Sequence, residues 1–152
     1  MKKYVLSLLP LLFAGCLGSA PKAPVKWTVD ADTRLAVSAI TVAAPYDGTR
    51  LAVMRSDGSL AFDAYNVFAD RPRRLLEFAV KPEPSAPAIL VRRFALDCRE
   101  EGERKAYVVI RASAGGRESD GEGVVNAQDG NYTRAFSAAF GDALRSALKG
   151  LK

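Results

Sequence analysis

The chain has 152 residues, of which 49% are apolar and 26% are charged, and its formal net charge is +5. Acidic and basic residues are interspersed along it, which argues against a nucleic-acid-binding protein. The sequence contains no histidine, and this removes the commonest general base and the commonest metal ligand, so most hydrolase mechanisms are disfavoured.

The first 15 residues have the pattern of a secretory signal peptide. Lys2 and Lys3 precede an apolar run over residues 4–14 that is too short to span a bilayer. The run ends in Leu12-Phe13-Ala14-Gly15-Cys16, which resembles the lipobox of bacterial lipoproteins. The resemblance implies that Cys16 becomes the acylated N-terminus, and two or three acyl chains hold a protein stably on a membrane. An ordinary signal peptide with a chance cysteine is the alternative.

These features predict the organisation of the chain: a signal peptide over 1–15, a lipidated cysteine and tether over 16–33, and one domain over 34–152. Loss of the signal peptide removes two lysines and lowers the formal charge to +3. Cys98 is then the only unmodified cysteine, so no intramolecular disulfide is expected. Leu17 stands where aspartate would signal retention in the inner membrane, so we expect a periplasm-facing anchor in the outer membrane.

The first part of the domain has the spacing of β-strands. Apolar residues over 34–42 predict a strand covered on both sides, and a turn is expected at 45–48. A strand over 51–54, a tight Asp-Gly hairpin at 56–59 and a return strand over 60–65 follow.

The same region resembles the ABC-type transport auxiliary lipoprotein family (PqiC-like). The resemblance covers residues 34–76 best. It is carried by Pro45-Tyr46-Asp47, Arg50-Leu51, Arg55-Ser56-Asp57-Gly58, Phe62-Asp63-Ala64-Tyr65, Phe68-Ala69, Pro72 and Leu75-Leu76. It implies an outer-membrane lipoprotein that works with MCE proteins and an inner-membrane ABC transporter to move lipids between membranes.

The second part of the domain predicts a short helix followed by a three-stranded meander. Pro72 suits the first turn of a helix, and later prolines end it. The strands are predicted over 90–99, 106–112 and 123–127, with a polar hairpin loop over 115–121. Strict alternation in the first of them would place Leu90, Arg92, Phe94, Leu96 and Cys98 in one row, with Cys98 as a small buried apolar residue.

The C-terminal segment predicts the longest helix, with Asp129 or Asn131 as its N-cap and Gly150 at its end. An apolar row recurs every four residues and is flanked by a row of alanines. Its members are Tyr132, Phe136, Phe140, Leu144 and Leu148. We interpret this row as core, and a groove for lipid or a partner is the alternative.

Candidate catalytic motifs are incomplete. Ser146-Ala147-Leu148-Lys149 spells S-x-x-K, but the S-D-N and K-T-G elements of penicillin-binding enzymes do not occur in the sequence. Asp30-Ala31-Asp32 resembles a metal-binding DxD but follows no hydrophobic strand, so we interpret it as a loop. Nothing in the sequence fixes a separation between the carboxylates considered as a catalytic pair, which are Asp63, Asp97, Glu100 and Glu101. We therefore expect no enzymatic activity, no cofactor and no metal.

Four residues are our candidates for contact with a partner, because turns, aromatic residues and arginines are enriched at interface cores. They are Tyr46, Arg55, Tyr65 and Phe68. The alternative for Tyr65 and Phe68 is that they pack the sheet against the helices.

The sequence thus predicts an α+β fold, with a mainly antiparallel sheet packed against a short helix and a long C-terminal helix. The expected function is that of a non-catalytic auxiliary component of an ABC/MCE-type lipid transport system. Its expected partners are an MCE-type periplasmic protein and the inner-membrane ABC transporter, with membrane attachment through lipid and no nucleic acid. A lipid ligand and a homo-oligomer are left open. The alternative function is a structural or assembly lipoprotein of another envelope complex, for secretion or lipopolysaccharide export.

Overall fold

The structure is a computed structural model that describes residues 23–152. The predicted signal peptide, Cys16 and the start of the tether lie outside the described residues. The elements in chain order are β1 Val25–Trp27, β2 Ala36–Val37, β3 Ala39–Val42, β4 Arg50–Met54, β5 Leu60–Phe68, α1 Pro72–Phe78, β6 Lys81–Pro82, β7 Ala88–Asp97, β8 Lys105–Ala114, β9 Arg117–Asn126 and α2 Tyr132–Gly150.

The predicted α+β fold class is confirmed. Seven strands form one sheet with the order β1-β5-β4-β7-β8-β9, and β3 pairs with β7 beside β4. The β7–β8 and β8–β9 ladders are antiparallel and almost ten residues long, as is appropriate for the predicted meander, whereas the parallel pairings are short. The sheet is therefore mixed, but most of its ladder is antiparallel.

Strand β7 organises the sheet. One of its edges pairs with β8 over nearly its whole length. Its other edge is shared by two strands, because β3 pairs with residues 88–91 and β4 pairs with residues 96–97. The single strand predicted over 34–42 is wrong in two respects. It breaks at Ser38 into β2, which pairs with β6, and β3, which joins the main sheet. It is also covered on one face only, because Ala39 and Thr41 of β3 are exposed.

The apolar row of α2 is core, as predicted. Phe136, Phe140 and Leu144 have no exposed surface, and α2 packs on β8 and β9. Phe136 also contacts Phe94 of β7 and Phe68 of β5, with ring centroids 4.7 and 5.6 Å apart, and such aromatic pairs add to the stabilisation from area burial. These buried residues cannot form the lipid or partner groove that was the alternative, and only Leu148 at the end of the row is partly exposed. The N-cap is Asn131, whose side chain accepts a hydrogen bond from the Arg134 N–H.

The alanine row of α2 lies against two glycines of β9. A Cβ atom built on Gly121 would lie 2.1 Å from the Ala143 carbonyl oxygen, and one on Gly123 would lie 1.9 Å from the Ala139 carbonyl oxygen. The prediction of a loop over 115–121 is therefore wrong. Gly115 and Gly116 alone form the turn, both with positive φ as a two-residue hairpin requires, and β9 already begins at Arg117.

A bulge in β7 overturns the predicted row of alternating residues. The pairing with β8 shifts between Val91 and Arg93, which inserts one extra residue into β7. Each β7 side chain before the bulge therefore lies on the opposite face of the sheet from the one that strict alternation predicts. As a result Val91 and Phe94 are both buried in the core, whereas Leu90 is exposed. Cys98 lies just beyond the strand and is only partly buried, so the prediction that it is buried is correct only in part.

The N-terminal boundary of the domain lies earlier than predicted. Part of the expected tether over 16–33 is folded, because Val25–Trp27 pairs in parallel with the end of β5. Trp27 donates a hydrogen bond from Nε1 to Asn66 Oδ1 at 3.0 Å, and its ring packs at a tilt against that of Tyr132 of α2. No short-range pattern predicts this strand, since its partner is about 40 residues away along the chain.

The β4–β5 hairpin and α1 agree with the predictions. Gly58 in the hairpin turn has a φ of 79°, which glycine adopts without strain. Pro72 is at the start of α1, and the helix buries Leu75 and Leu76 against the core. The return strand β5 is three residues longer than predicted and contains a bulge at Asp63, whose side chain accepts hydrogen bonds from the N–H groups of Tyr65 and Asn66.

Candidate interaction surface

The sheet has one face that α2 covers and a second face, called here the open face, that carries the alternate residues of β7, β8 and β9. Register places Tyr107 of β8 beside Val124 of β9 and Ala95 of β7 on this face. Its centre is a small apolar cluster separate from the main core, made by Ala52, Met54 and Ala95. The side chains that cover the cluster are those of Tyr46, Leu60 and Tyr107.

Large apolar side chains are exposed on the open face around this cluster. Phe62 is 42% exposed and is paired with the buried Ala52 across the β4–β5 ladder. Val124 is 47% exposed next to Tyr107, and Leu90 is 36% exposed next to Arg111. Single exposed apolar residues need no explanation, but Phe62 and Val124 flank the apolar cluster on the same face, which is typical of a surface that contacts another molecule.

Tyr107 is the polar centre of the open face. The guanidinium carbons of Arg93 and Arg99 lie 5.3 and 5.9 Å from the centre of its ring, within cation–π range. Its hydroxyl group donates to Glu122 Oε2 at 3.2 Å. Burial raises the pKa of Tyr107, and the negative charge of Glu122 raises it further, so the phenol stays protonated at neutral pH.

The charges toward the β9 edge neutralise one another. Arg111 donates from Nε to Asp120 Oδ1 at 2.8 Å, and it also pairs with Glu118 at 3.2 Å. Arg92, the residue at the bulge, reaches the same aspartate at 3.4 Å. The hydrogen bond from Arg111 holds the pKa of Asp120 below its usual value. This part of the face is therefore a set of satisfied ion pairs.

The four candidate contact residues do not form one cluster. Tyr46 is half-buried and covers the apolar cluster of the open face. Arg55 is exposed in the β4–β5 turn, and Tyr65 is 55% exposed at the β5 bulge. Tyr65 is five positions after Leu60, which lies near the turn, and this corresponds to at most roughly 16 Å along a strand.

Phe68 is a correction to the candidate set. It is only 3% exposed and lies between Phe94 and Phe136 in the main core, so it cannot contact a partner. The alternative that it packs the sheet against a helix is correct. The same alternative is wrong for Tyr65, whose side chain is mostly in solvent.

Two exposed aromatic residues were absent from the candidate set. Phe62 shares its row with Leu60. It is exposed because no helix within residues 23–152 covers the open face, which strand periodicity does not reveal. Phe78 is 85% exposed at the end of α1. Its exposure was accessible from sequence, because a helix that buries Leu75, Leu76 and Ala79 turns position 78 away from the core.

The carboxylates considered for catalysis are held in local ion pairs and turns. Asp97 accepts three side-chain hydrogen bonds from Arg99, which hold its pKa below the usual value. Burial raises the pKa of Asp63, but hydrogen bonds from Asn66 and the Tyr65 N–H outweigh it and leave the pKa lowered. Both groups are therefore ionised at neutral pH, whereas a general acid needs a raised pKa.

The remaining motifs lie apart from the open face. Asp30–Asp32 belongs to a loop along α2, where the Asp30 N–H donates to Ser137 Oγ at 2.8 Å and Asp32 pairs with Arg34 at 3.3 Å. Ser146 and Lys149 are both exposed on α2. Among residues 23–152, no three acidic or cysteine side chains converge into a metal site, and no helix has the length and apolar character needed to cross a bilayer.

Comparison with known proteins finds likeness at the level of the fold. No protein-family model matches the sequence, and no curated protein matches it either. The structure is similar to the crystal structure of a Xanthomonas campestris protein of the family DUF330, with a TM-score of 0.55 and 19% identity over 84% of this chain and 86% of that one. It is also similar to the crystal structure of an uncharacterized protein, with a TM-score of 0.58 and 13% identity over 86% of this chain and all of that one.

Proposed function

We propose that this protein is an outer-membrane lipoprotein that serves as a non-catalytic auxiliary component of an ABC/MCE-type lipid transport system. The observation that carries the proposal is the fold likeness to a DUF330 protein across most of both chains. PqiC-like auxiliary lipoproteins constitute that family, and the motifs between residues 34 and 76 resemble them independently of the fold. The lipobox that ends at Cys16 supplies the expected anchor.

The open face is the surface that we assign to the periplasmic partner. It offers an exposed aromatic group at Phe62, with Tyr65 exposed three residues further along β5, and its charges toward the β9 edge are paired, as in Arg111 with Asp120. Interface cores are enriched in aromatic residues and depleted in unpaired charges. An MCE-type subunit docked on this face would bury the apolar side chains, and an acidic residue of that subunit would suit Arg93, which lies over the Tyr107 ring and forms no ion pair among the described residues.

Photocrosslinking in cells tests this assignment. A photoreactive amino acid replaces Phe62 in one variant and Tyr65 in a second, and Arg145 on the outer side of α2 in a matched control, since all three positions are exposed. We expect the first two variants, but not the control, to capture an MCE-type periplasmic subunit identified by mass spectrometry.

The same experiment separates the proposal from its alternative. Fold alone cannot distinguish a transport component from an assembly component. Capture of a secretin or of a lipopolysaccharide-export subunit at Phe62 or Tyr65 would replace transport with assembly as the function. Equal capture from Arg145 would mean that the open face is not the specific surface.

A further inference from the structure

Strand β9 lies at one end of the sheet and has a free edge. It pairs with β8 on one side, and no strand among residues 23–152 pairs with it on the other. The edge is ten residues long, whereas β1 at the opposite end of the sheet has only three. Proteins commonly protect sheet edges by keeping them short or by placing a proline or a bulge in them. β9 contains no proline and pairs with β8 without a register shift, so its edge is long and regular.

The hairpin turn fixes which backbone groups of β9 point outward. Ala114 and Arg117 flank the two-residue turn and form a hydrogen-bonded pair, and from there bonded and non-bonded pairs alternate along the ladder. Every second residue of β9 therefore directs its N–H and C=O away from β8. In the described part of the chain these groups, called here the outward groups, have no backbone partner. They belong to Glu118, Asp120, Glu122 and Val124.

The acidic side chains of β9 do not block this edge. Arg111 of β8 lies 3.2 Å from Glu118 and 2.8 Å from Asp120. Tyr107 of the same strand donates from its hydroxyl group to Glu122 at 3.2 Å. All three carboxylates are therefore held toward β8, and the backbone at the edge stays accessible.

Glu122 leaves an uncompensated negative charge next to the edge. It forms no ion pair with any described residue, in contrast to the other two acids of β9. Arg93 lies over the Tyr107 ring, but it belongs to β7, which is two strands and about 10 Å further from the edge. Val124, two positions after Glu122 on the same face, is 47% exposed. A strand added here would meet a carboxylate beside an apolar side chain.

A second copy of this chain does not suit the edge. In the antiparallel registers that overlap nearly all of two β9 strands, Glu122 would face either Asp120 or Glu122 of the other copy. Like charges directly opposite one another destabilise a strand pair. The charge of the edge thus favours a different chain, with a basic residue at the position that faces Glu122.

We propose that the β9 edge binds an extended segment of a partner protein as an additional strand, with a basic residue opposite Glu122 and a β-branched residue opposite Val124. Hydrogen bonds to the outward groups supply the affinity, and the two side-chain pairs supply the specificity. The inference goes beyond the proposed function, because it concerns the edge of the sheet rather than the open face and requires no role in transport.

Hydrogen exchange measured by nuclear magnetic resonance tests the proposal residue by residue. The full chain is labelled with nitrogen-15 and purified in detergent. The probe is a nine-residue peptide with blocked ends, which alternates threonine with serine or valine and has lysine at its centre. The control peptide differs only in having glutamate in place of this lysine.

We expect the lysine peptide, at ten times its dissociation constant, to slow exchange of the outward N–H groups about tenfold. The N–H groups of Gly121 and Gly123 already pair with β8 and should exchange as before. The glutamate peptide should bind more weakly, because its central carboxylate would face Glu122.

Two variants separate the main chain from the charge. Glu122→Pro removes one outward N–H but no hydrogen bond to β8, and proline is tolerated at sheet edges, so binding of the lysine peptide should weaken about fivefold or more. Unchanged exchange at Gly121 and Gly123 verifies that β9 is intact in this variant. Glu122→Gln keeps the N–H and removes the charge, so it should bind the two peptides equally.

Unchanged exchange of the outward groups in the parent protein with the lysine peptide would overturn the proposal. Equal slowing by the two peptides would overturn it too, since the charge would then play no part. Slowing that rises with protein concentration in the absence of peptide would assign the edge to a second copy instead. The peptides replace any cellular partner, so this result is independent of the crosslinking at Phe62 and Tyr65.

Discussion

The packing of α2 on β9 makes a sharp prediction about Gly123. In Gly123→Ala the new Cβ atom would lie 1.9 Å from the Ala139 carbonyl oxygen and 2.7 Å from its carbonyl carbon. Because a carbon and an oxygen approach to about 3.3 Å at closest, the helix must move away by roughly 1.4 Å. Both obstructing atoms are backbone, so no rotamer change relieves the clash.

The cost of this movement follows from what α2 buries. A gap of even 0.5–1 Å removes about a quarter to a half of the dispersion energy of the atoms that face it. The displaced helix carries Phe136, Phe140 and Leu144, all without exposed surface. We therefore expect Gly123→Ala to lower the free energy of unfolding by about 3 kcal/mol or more, at the upper end of the range for overpacked cores.

Urea unfolding monitored by circular dichroism measures this change. The matched control is Gly48→Ala, because its new Cβ atom would meet only the Pro45 carbonyl oxygen at 4.0 Å. The control should stay within about 0.5 kcal/mol of the parent protein. If Gly123→Ala unfolded at the same urea concentration as the control, α2 would not approach β9 as closely as described, and this reasoning would be refuted.

Three further predictions concern the core, the helix cap and the pH dependence. Phe136→Ala should lower the free energy of unfolding by about 3–5 kcal/mol, because it leaves a cavity in the main core. Phe62→Ala should change the free energy of unfolding little, because Phe62 is exposed. Similar losses for the two variants in urea unfolding would contradict the assignment of Phe136 to the core and Phe62 to the surface. Asn131→Ala removes the acceptor for the Arg134 N–H and should cost about 1 kcal/mol in the same assay, and no loss would mean that the cap does not stabilise α2. Hydrogen bonds from Arg99 lower the pKa of Asp97 in the folded state. The pair therefore stabilises the fold fully above the usual pKa of aspartate, about 3.9. This contribution is lost as the pH falls through the lower pKa of the folded state. Asp97→Asn should therefore reduce the loss of stability between neutral and acidic pH, and an unchanged loss would exclude this pair as a cause.

Regular periodicity accounts for the features that sequence predicted well. The stripe over Tyr132–Leu144 identified α2 and its buried face, and the Asp-Gly pair at 57–58 identified the β4–β5 hairpin. Each of these signals lies within one element or one turn. They fix the local structure because the residues that must meet are neighbours in the chain.

Long-range packing accounts for the features that sequence missed. Val25–Trp27 forms a strand only because β5 offers it an edge, and the β7 bulge is visible only through its pairing with β8. Gly121 was assigned to a loop, but the close approach of α2 to β9 explains a glycine at this position. For the candidate surface, Phe68 was misassigned because an aromatic residue at a strand end has the same local pattern whether it faces solvent or, as here, Phe136.

Lipid labelling of the two cysteines tests the central claim most directly. Cells that express the full chain, Cys16→Ser or Cys98→Ser are labelled with an alkyne analogue of palmitate, and their inner and outer membranes are separated by density. The account predicts that the full chain and Cys98→Ser carry the label and are found in the outer-membrane fraction. Cys16→Ser should carry no label and should be missing from that fraction. An unlabelled full chain in the soluble periplasmic fraction, or label retained by Cys16→Ser, would contradict it.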